Sequence, residues 1–132
     1  MDVTLGPWTA EHSIDEADRK PLTEAMADAA RTKVKNTTGF TGKDAQGQPA
    51  KTGFTISGKL NNLLKSSAGV TVKATFTLWA DGTFSNVKPL AGEATAQGFG
   101  RTTAEEALRA VTESRVKTLL DAIKAGTAKK AR

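Results

Sequence analysis

Between residues 70 and 80 the side chains alternate strictly. Val70, Val72, Ala74, Phe76, Leu78 and Ala80 point one way; Thr71, Lys73, Thr75, Thr77 and Trp79 point the other. A period of two predicts a strand with one buried face. Asp81-Gly82 follows it. Both central positions of a type I′ turn need positive φ, so this pair predicts a tight hairpin. The chain then returns at Thr83-Phe84, is interrupted by Pro89, and resumes over residues 91–96 as an edge segment. The small residues there imply close packing under a helix. Upstream, residues 54–60 predict a second long strand. Its alternation breaks at Asn61-Asn62-Leu63-Leu64, which predicts a bulge or bend, and a turn follows over residues 66–69.

Two helical stretches flank this block. In the first, Leu22, Met26, Ala29, Ala30 and Val34 recur at helical spacing and make one apolar stripe. Ser13-Ile14-Asp15-Glu16 has the spacing of a capping box, Pro21 suits a first turn, and the helix should stop near Asn36. In the second, Ala104, Ala107, Leu108, Val111, Leu119, Leu120 and Ile123 form the buried side. Thr103-Ala104-Glu105-Glu106 is a second capping box and Gly126 a natural stop. Acidic residues lead each helix and basic residues close it, as the helix dipole favours. Before the first helix, residues 2–5 alternate and predict a short strand ended by Pro7, which has no amide hydrogen for a ladder. Residues 37–52 are polar, with Gly39, Gly42, Gly47 and Pro49, and read as a mobile loop. The sequon Asn36-Thr37-Thr38 has meaning only in a eukaryotic secretory pathway.

The expected fold is α+β: a small antiparallel sheet of three to four strands with two helices on one face, in the order β-α-β-β-(β)-α. A chain of 132 residues fits one domain, assigned to residues 1–126, with 127–132 as a disordered basic tail. There is no cysteine, which excludes thiolate chemistry, zinc-cysteine sites and disulfides. No apolar run reaches the roughly 18 residues of a spanning helix. Met1-Asp2 opens no leader, and Met1 reads as a start placed on a chain whose leader was removed. The net charge is +5, and Lys129, Lys130 and Arg132 supply three of those charges, leaving +2 for the rest. That tail is either a solvated end or a grip on phosphates or anionic lipid.

Catalysis finds little support. His12 is the single histidine and lies in a polar stretch, as a surface histidine would. Without a second base, a serine or threonine nucleophile has nothing to activate it. Asp15, Glu16 and Asp18 could hold a cation, but their position suits the start of a helix. No enzyme, metal site or cofactor is expected. Gly98-Phe99-Gly100 leads into Arg101, Thr102 and Thr103, a helix entry that could hold an anion on free amides, hydroxyls and a guanidinium. Arg115 falls within the apolar arc of the second helix, where it snorkels, pairs with a carboxylate at the rim, or contacts another protein. The outward face carrying Thr71, Lys73, Thr75, Thr77 and Trp79 is the best candidate for partner binding. Trp79 there is either an exposed hot spot or pinned under the loop 37–52, and Trp8 could lie beside it.

Four stretches carry a resemblance: Gly53-Phe-Thr-Ile-Ser-Gly58, Val70-Thr-Val-Lys-Ala-Thr-Phe76, Gly92-Glu-Ala-Thr-Ala-Gln-Gly98 and Glu105-Glu-Ala-Leu-Arg-Ala-Val111. Their succession of hairpin, glycine-alanine strand and closing helix resembles the α+β domain of Gram-negative envelope proteins. That domain is found in the curli secretion lipoprotein, in lipoprotein activators of penicillin-binding proteins and at the N-terminus of TolB. The resemblance implies a non-catalytic module of the periplasm or cell envelope that binds a protein or assembles with itself. The second expectation is a module binding nucleic acid or anions through the basic tail and residues 98–103.

Overall fold

The computed structural model describes residues 1–129 except Gln46, Phe99 and Gly100, and Arg101 for its backbone only. Six strands and two helices follow in the order β1 (Asp2–Ala10), α1 (Glu16–Lys35), β2 (Thr41–Asp44), β3 (Phe54–Ser66), β4 (Gly69–Ala80), β5 (Thr83–Phe84), β6 (Leu90–Ala96) and α2 (Arg101–Lys124). They form one sheet ordered β2-β1-β3-β4-β5, with β6 also paired to β4.

Both helices cover the same face of the sheet. Leu22, Met26, Ala30 and Val34 of α1 and Leu108, Val116, Leu119 and Leu120 of α2 share one core with Val3, Leu5, Ile56, Leu60, Val72, Phe76 and Leu78. From Val70 to Ala80 the alternation in β4 is obeyed at every position: even-numbered residues are buried and odd-numbered ones are not. The turn is also as expected, with φ of 51° at Asp81 and 81° at Gly82. The α2 stop is a Schellman closure, in which Thr127 N donates to Ala122 O and Gly126 N to Ile123 O. The return strand is split, β5 and β6 lying in turn along β4. The expected bulge in β3 is a register shift between Leu60 and Asn62.

Several expectations are corrected. The sheet has six strands rather than three to four, and it is mixed: β1 runs parallel to both β2 and β3. The stretch 37–52 is not all loop, since it contains β2. Its polar composition misled because β2 is an edge strand exposed at every residue. Pro7 does not end β1. The ladder shifts register between Leu5 and Trp8, and such a bulge accommodates a residue with no amide donor. Neither capping box forms at a helix start. Asp15 is the N-cap of α1 and makes no side-chain cap bond, which puts Pro21 in the second turn. α2 begins at Arg101, two residues before Thr103. At the other end, Ala128 is buried and Lys129 exchanges two bonds with Asn86, Asn86 N to Lys129 O and Lys129 N to Asn86 Oδ1, each 2.8 Å.

Candidate functional site

The outward face of β4 presents the expected residues, and the neighbouring strands determine what they can do. Thr71 Oγ1 lies 2.9 Å from Thr95 Oγ1 on β6, and Thr75 Oγ1 donates to Asn61 Oδ1 at 2.7 Å. Trp79 Nε1 donates to Ser57 Oγ at 2.8 Å. These are cross-strand pairs that satisfy one another within the protein. Lys73 is exposed, opposite Asn62 on one side and Glu93 on the other. Thr77 is half-buried.

Trp79 is neither bare nor covered. It is half-buried, and Phe84 stacks on it with ring centroids 4.3 Å apart. Phe84 itself is 53% exposed. The segment before β3 covers the adjacent corner, where Ala50 N donates to Thr55 Oγ1 and Thr55 is fully buried. Trp8 does not join this face. It pairs with Gly58 in the ladder, and a Cβ on Gly58 would meet the Trp8 ring at 2.9 Å and Phe76 at 3.1 Å, on the helix side. The signal for the Trp79–Phe84 stack was present in the sequence. A two-residue turn at Asp81-Gly82 makes Ala80 face Thr83 and Trp79 face Phe84.

Among the described residues, Arg115 does not pair with a carboxylate. Its Nε donates to Ala91 O at 2.9 Å and an Nη donates to Ser114 Oγ. Ala91 O points away from β4, so Arg115 caps the free side of β6. With Lys73, Thr75, Asn61 and Glu93 it lines a shallow depression of about 490 Å³. At the helix entry, Thr102 is exposed and Thr103 is half-buried, its Oγ1 3.0 Å from where a Cβ on Gly98 would lie. Phe99, Gly100, Lys130, Ala131, Arg132 and the Arg101 side chain lie outside the described residues.

The second edge of the sheet was not anticipated. Thr41 N donates to Met1 O and Ala45 N to Leu5 O, so the backbone groups of Gly42 and Asp44 face away from β1. Beside them is a groove of about 440 Å³ lined by Arg31, Lys35, Phe40, Thr41, Gly42 and Asp44. One exposed ion pair, Arg31 Nε to Asp44 Oδ1 at 2.9 Å, ties this strand to α1. Other acidic groups are engaged similarly, Glu11 with Lys59, Asp18 with Lys65, Asp28 with Arg109 and Asp121 with Lys117. Lys59 donates to Glu11 at 2.7 Å, and this bond and its charge hold the Glu11 carboxyl below the usual range. His12 is exposed. Among the described residues, no group of three or more acidic or histidine side chains is arranged to hold a metal.

No family model matches the chain, and no curated protein sequence is similar to it. Solved structures share its fold. A Xanthomonas campestris protein described by the family model DUF330 superposes with a TM-score of 0.67 at 11% identity, covering 96% of this chain and 87% of that one. PelC from Paraburkholderia phytofirmans, a dodecamer, gives 0.55 at 16% identity over 85% and 82%. A minor lipoprotein from Acinetobacter baumannii gives 0.51 at 13% identity over 98% and 97%. At these identities the likeness is one of fold.

Proposed function

We propose that this chain is a non-catalytic module of a bacterial cell envelope that works by strand-edge contact with protein, including further copies of itself. The observation that carries the reading is the edge formed by β2. It is short, exposed throughout, and presents the backbone groups of Gly42 and Asp44 next to a groove containing the half-buried Phe40. An open edge offers ready-made hydrogen-bonding positions to an added strand, and a neighbouring groove supplies side-chain selectivity. Two of the proteins sharing this fold support the setting: one is described as a lipoprotein and the other as a dodecamer. The Thr/Lys/Trp face is the lesser candidate, because Thr71, Thr75 and Trp79 already spend their polar atoms on neighbouring strands.

The test is a pair of substitutions at one position. Asp44→Pro removes the outward amide without touching a ladder bond to β1; Asp44→Ala removes only the ion pair with Arg31. Sedimentation equilibrium across a concentration series should show self-association that Asp44→Pro abolishes and Asp44→Ala retains. A chain that is monomeric at every concentration, or loses association equally in both variants, contradicts the edge as the contact.

A further inference from the structure

The sheet topology brings the C-terminal turns of both helices to one end of the molecule. Gly42, Val3, Phe54, Ala80 and Thr83 form one row across the sheet, so β1, β2 and β3 all start at the same end and β4 finishes there. α1 leaves the far end of β1 and returns to the start of β2, so it finishes at this end. α2 does too, since Lys129 just beyond it is bonded to Asn86 in the β5–β6 connection. The two helices therefore run the same way. α1 closes on Lys33 and Lys35 and α2 on Lys124, where the dipole favours cations, so these charges fall at one end.

Lys33 and Lys35 from α1, Lys124 and Lys129 from α2 and beyond, Lys51 before β3 and Lys88 after β5 all gather at or beside this end. Asp2 and Asp81 are the opposing acids, and Asp81 accepts a bond from Gly53 N. Asp44 and Asp121 are already paired with Arg31 and Lys117. The opposite end carries both signs: Asp15, Glu16 and Asp18 with Arg19, Lys20 and Lys65. A second, independent observation points the same way. Met1 and Phe84, two of the three large apolar side chains left exposed among the described residues, sit at the basic end, and Phe84 is stacked on the half-buried Trp79.

We propose that this basic, aromatic-tipped end docks on the surface of an anionic lipid bilayer. Lysines at the same end as an exposed phenylalanine stacked on a half-buried tryptophan suit a charged headgroup layer over an apolar one, where amphipathic rings settle. Docking this way lays neither sheet edge against the membrane, so it is independent of strand-edge contact and goes beyond it.

The experiment is sedimentation of the whole protein with vesicles of phosphatidylcholine alone or with a third phosphatidylglycerol. Binding is expected only to the anionic vesicles, and it should fall steeply with salt. Each lysine near such a surface strengthens binding about fivefold, so replacing Lys33, Lys88, Lys124 and Lys129 by Gln should weaken it by several hundredfold. The same change at Lys20, Lys59, Lys65 and Lys73 gives equal net charge and should weaken it far less. Circular dichroism of both variants confirms that they fold. Deleting residues 130–132 should leave most of the binding. The proposal is overturned by no binding at low salt, by equal loss in both quadruple variants, or by complete loss on deleting 130–132. It is also overturned if a short duplex DNA binds more tightly than the vesicles at the same salt, which would identify a nucleic acid instead.

Discussion

The two edges of the sheet are built on opposite plans. At β6 the chain uses small residues so that α2 can lie directly on the strand. A Cβ on Gly92 would fall 2.6 Å from Val111 Cγ1 and 3.3 Å from Arg115 Nε. Arg115 then occupies the outward carbonyl of Ala91. At β2 the strand has four residues, all exposed, and is tied to α1 by a single surface ion pair. One edge is closed by packing, which depends on close contact and little on solution conditions. The other rests on its backbone ladder to β1, to which an ion pair with α1 adds surface charge that contributes at most about 1 kcal/mol and is screened by salt. An edge that is covered cannot recruit a strand, whereas one whose outward backbone groups are bare can. This asymmetry is why β2 rather than β6 is the edge proposed to accept another chain.

The largest test of this contrast is Gly92→Val. Overfilling a packed contact costs about 1–3 kcal/mol, and in a domain of this size that should lower the Tm by roughly 5–10 °C. The double variant Gly92→Val/Val111→Ala should recover much of the loss. No change in the melting curve for the single variant would mean that α2 does not press on β6. Arg115→Ala should cost less, about 1 kcal/mol, the net worth of one hydrogen bond. It should also expose Ala91 O and raise self-association in sedimentation. A variant that loses stability but associates no more than the parent would show that α2 closes this edge without the arginine.

Where one periodic signal decided an element, the sequence was enough. The β4 alternation, the Asp81-Gly82 turn, the Gly126 stop and the apolar stripes of both helices were legible because each rests on local geometry or on burial of one face. So was Gly92: small residues in a strand beside a long helix foretell a close approach. β2 was not legible. An exposed edge strand has no buried face, so it shows no alternation, and its identity comes from Met1 and Leu5, some forty residues earlier. Parallel pairing of β1 with both neighbours was hidden for the same reason. The candidate site was half legible. The face of residues 71–79 followed from period two, but that its threonines and indole are satisfied by Thr95, Asn61 and Ser57 depends on register. The parallel course of the two helices, on which the basic end depends, is a property of topology alone.

The smallest effect sharpens the contrast by pH. Glu11 closes the top of β1, its amide bonded to Leu60 O and its carboxylate to Lys59 on β3. Hydrogen bonding from Lys59 lowers its pKa most, the charge of Lys59 and, less, that of His12 add to this, and partial burial opposes it. A carboxyl whose folded pKa is depressed contributes stability that is present above its unfolded pKa and lost as pH falls through the folded one. Acid should therefore loosen β1 and the β2 edge beside it below the ordinary glutamate range, while the β6 edge, packed rather than charged, is unchanged. Amide exchange corrected for intrinsic rates should show protection falling first in β1 and β2 as the pH drops. NMR titration should find Glu11 ionising below the ordinary glutamate range, and Lys59→Ala should return it to that range and flatten the difference between the edges. Equal loss of protection in β2 and β6 on acidification would mean that surface charge does not set the two edges apart.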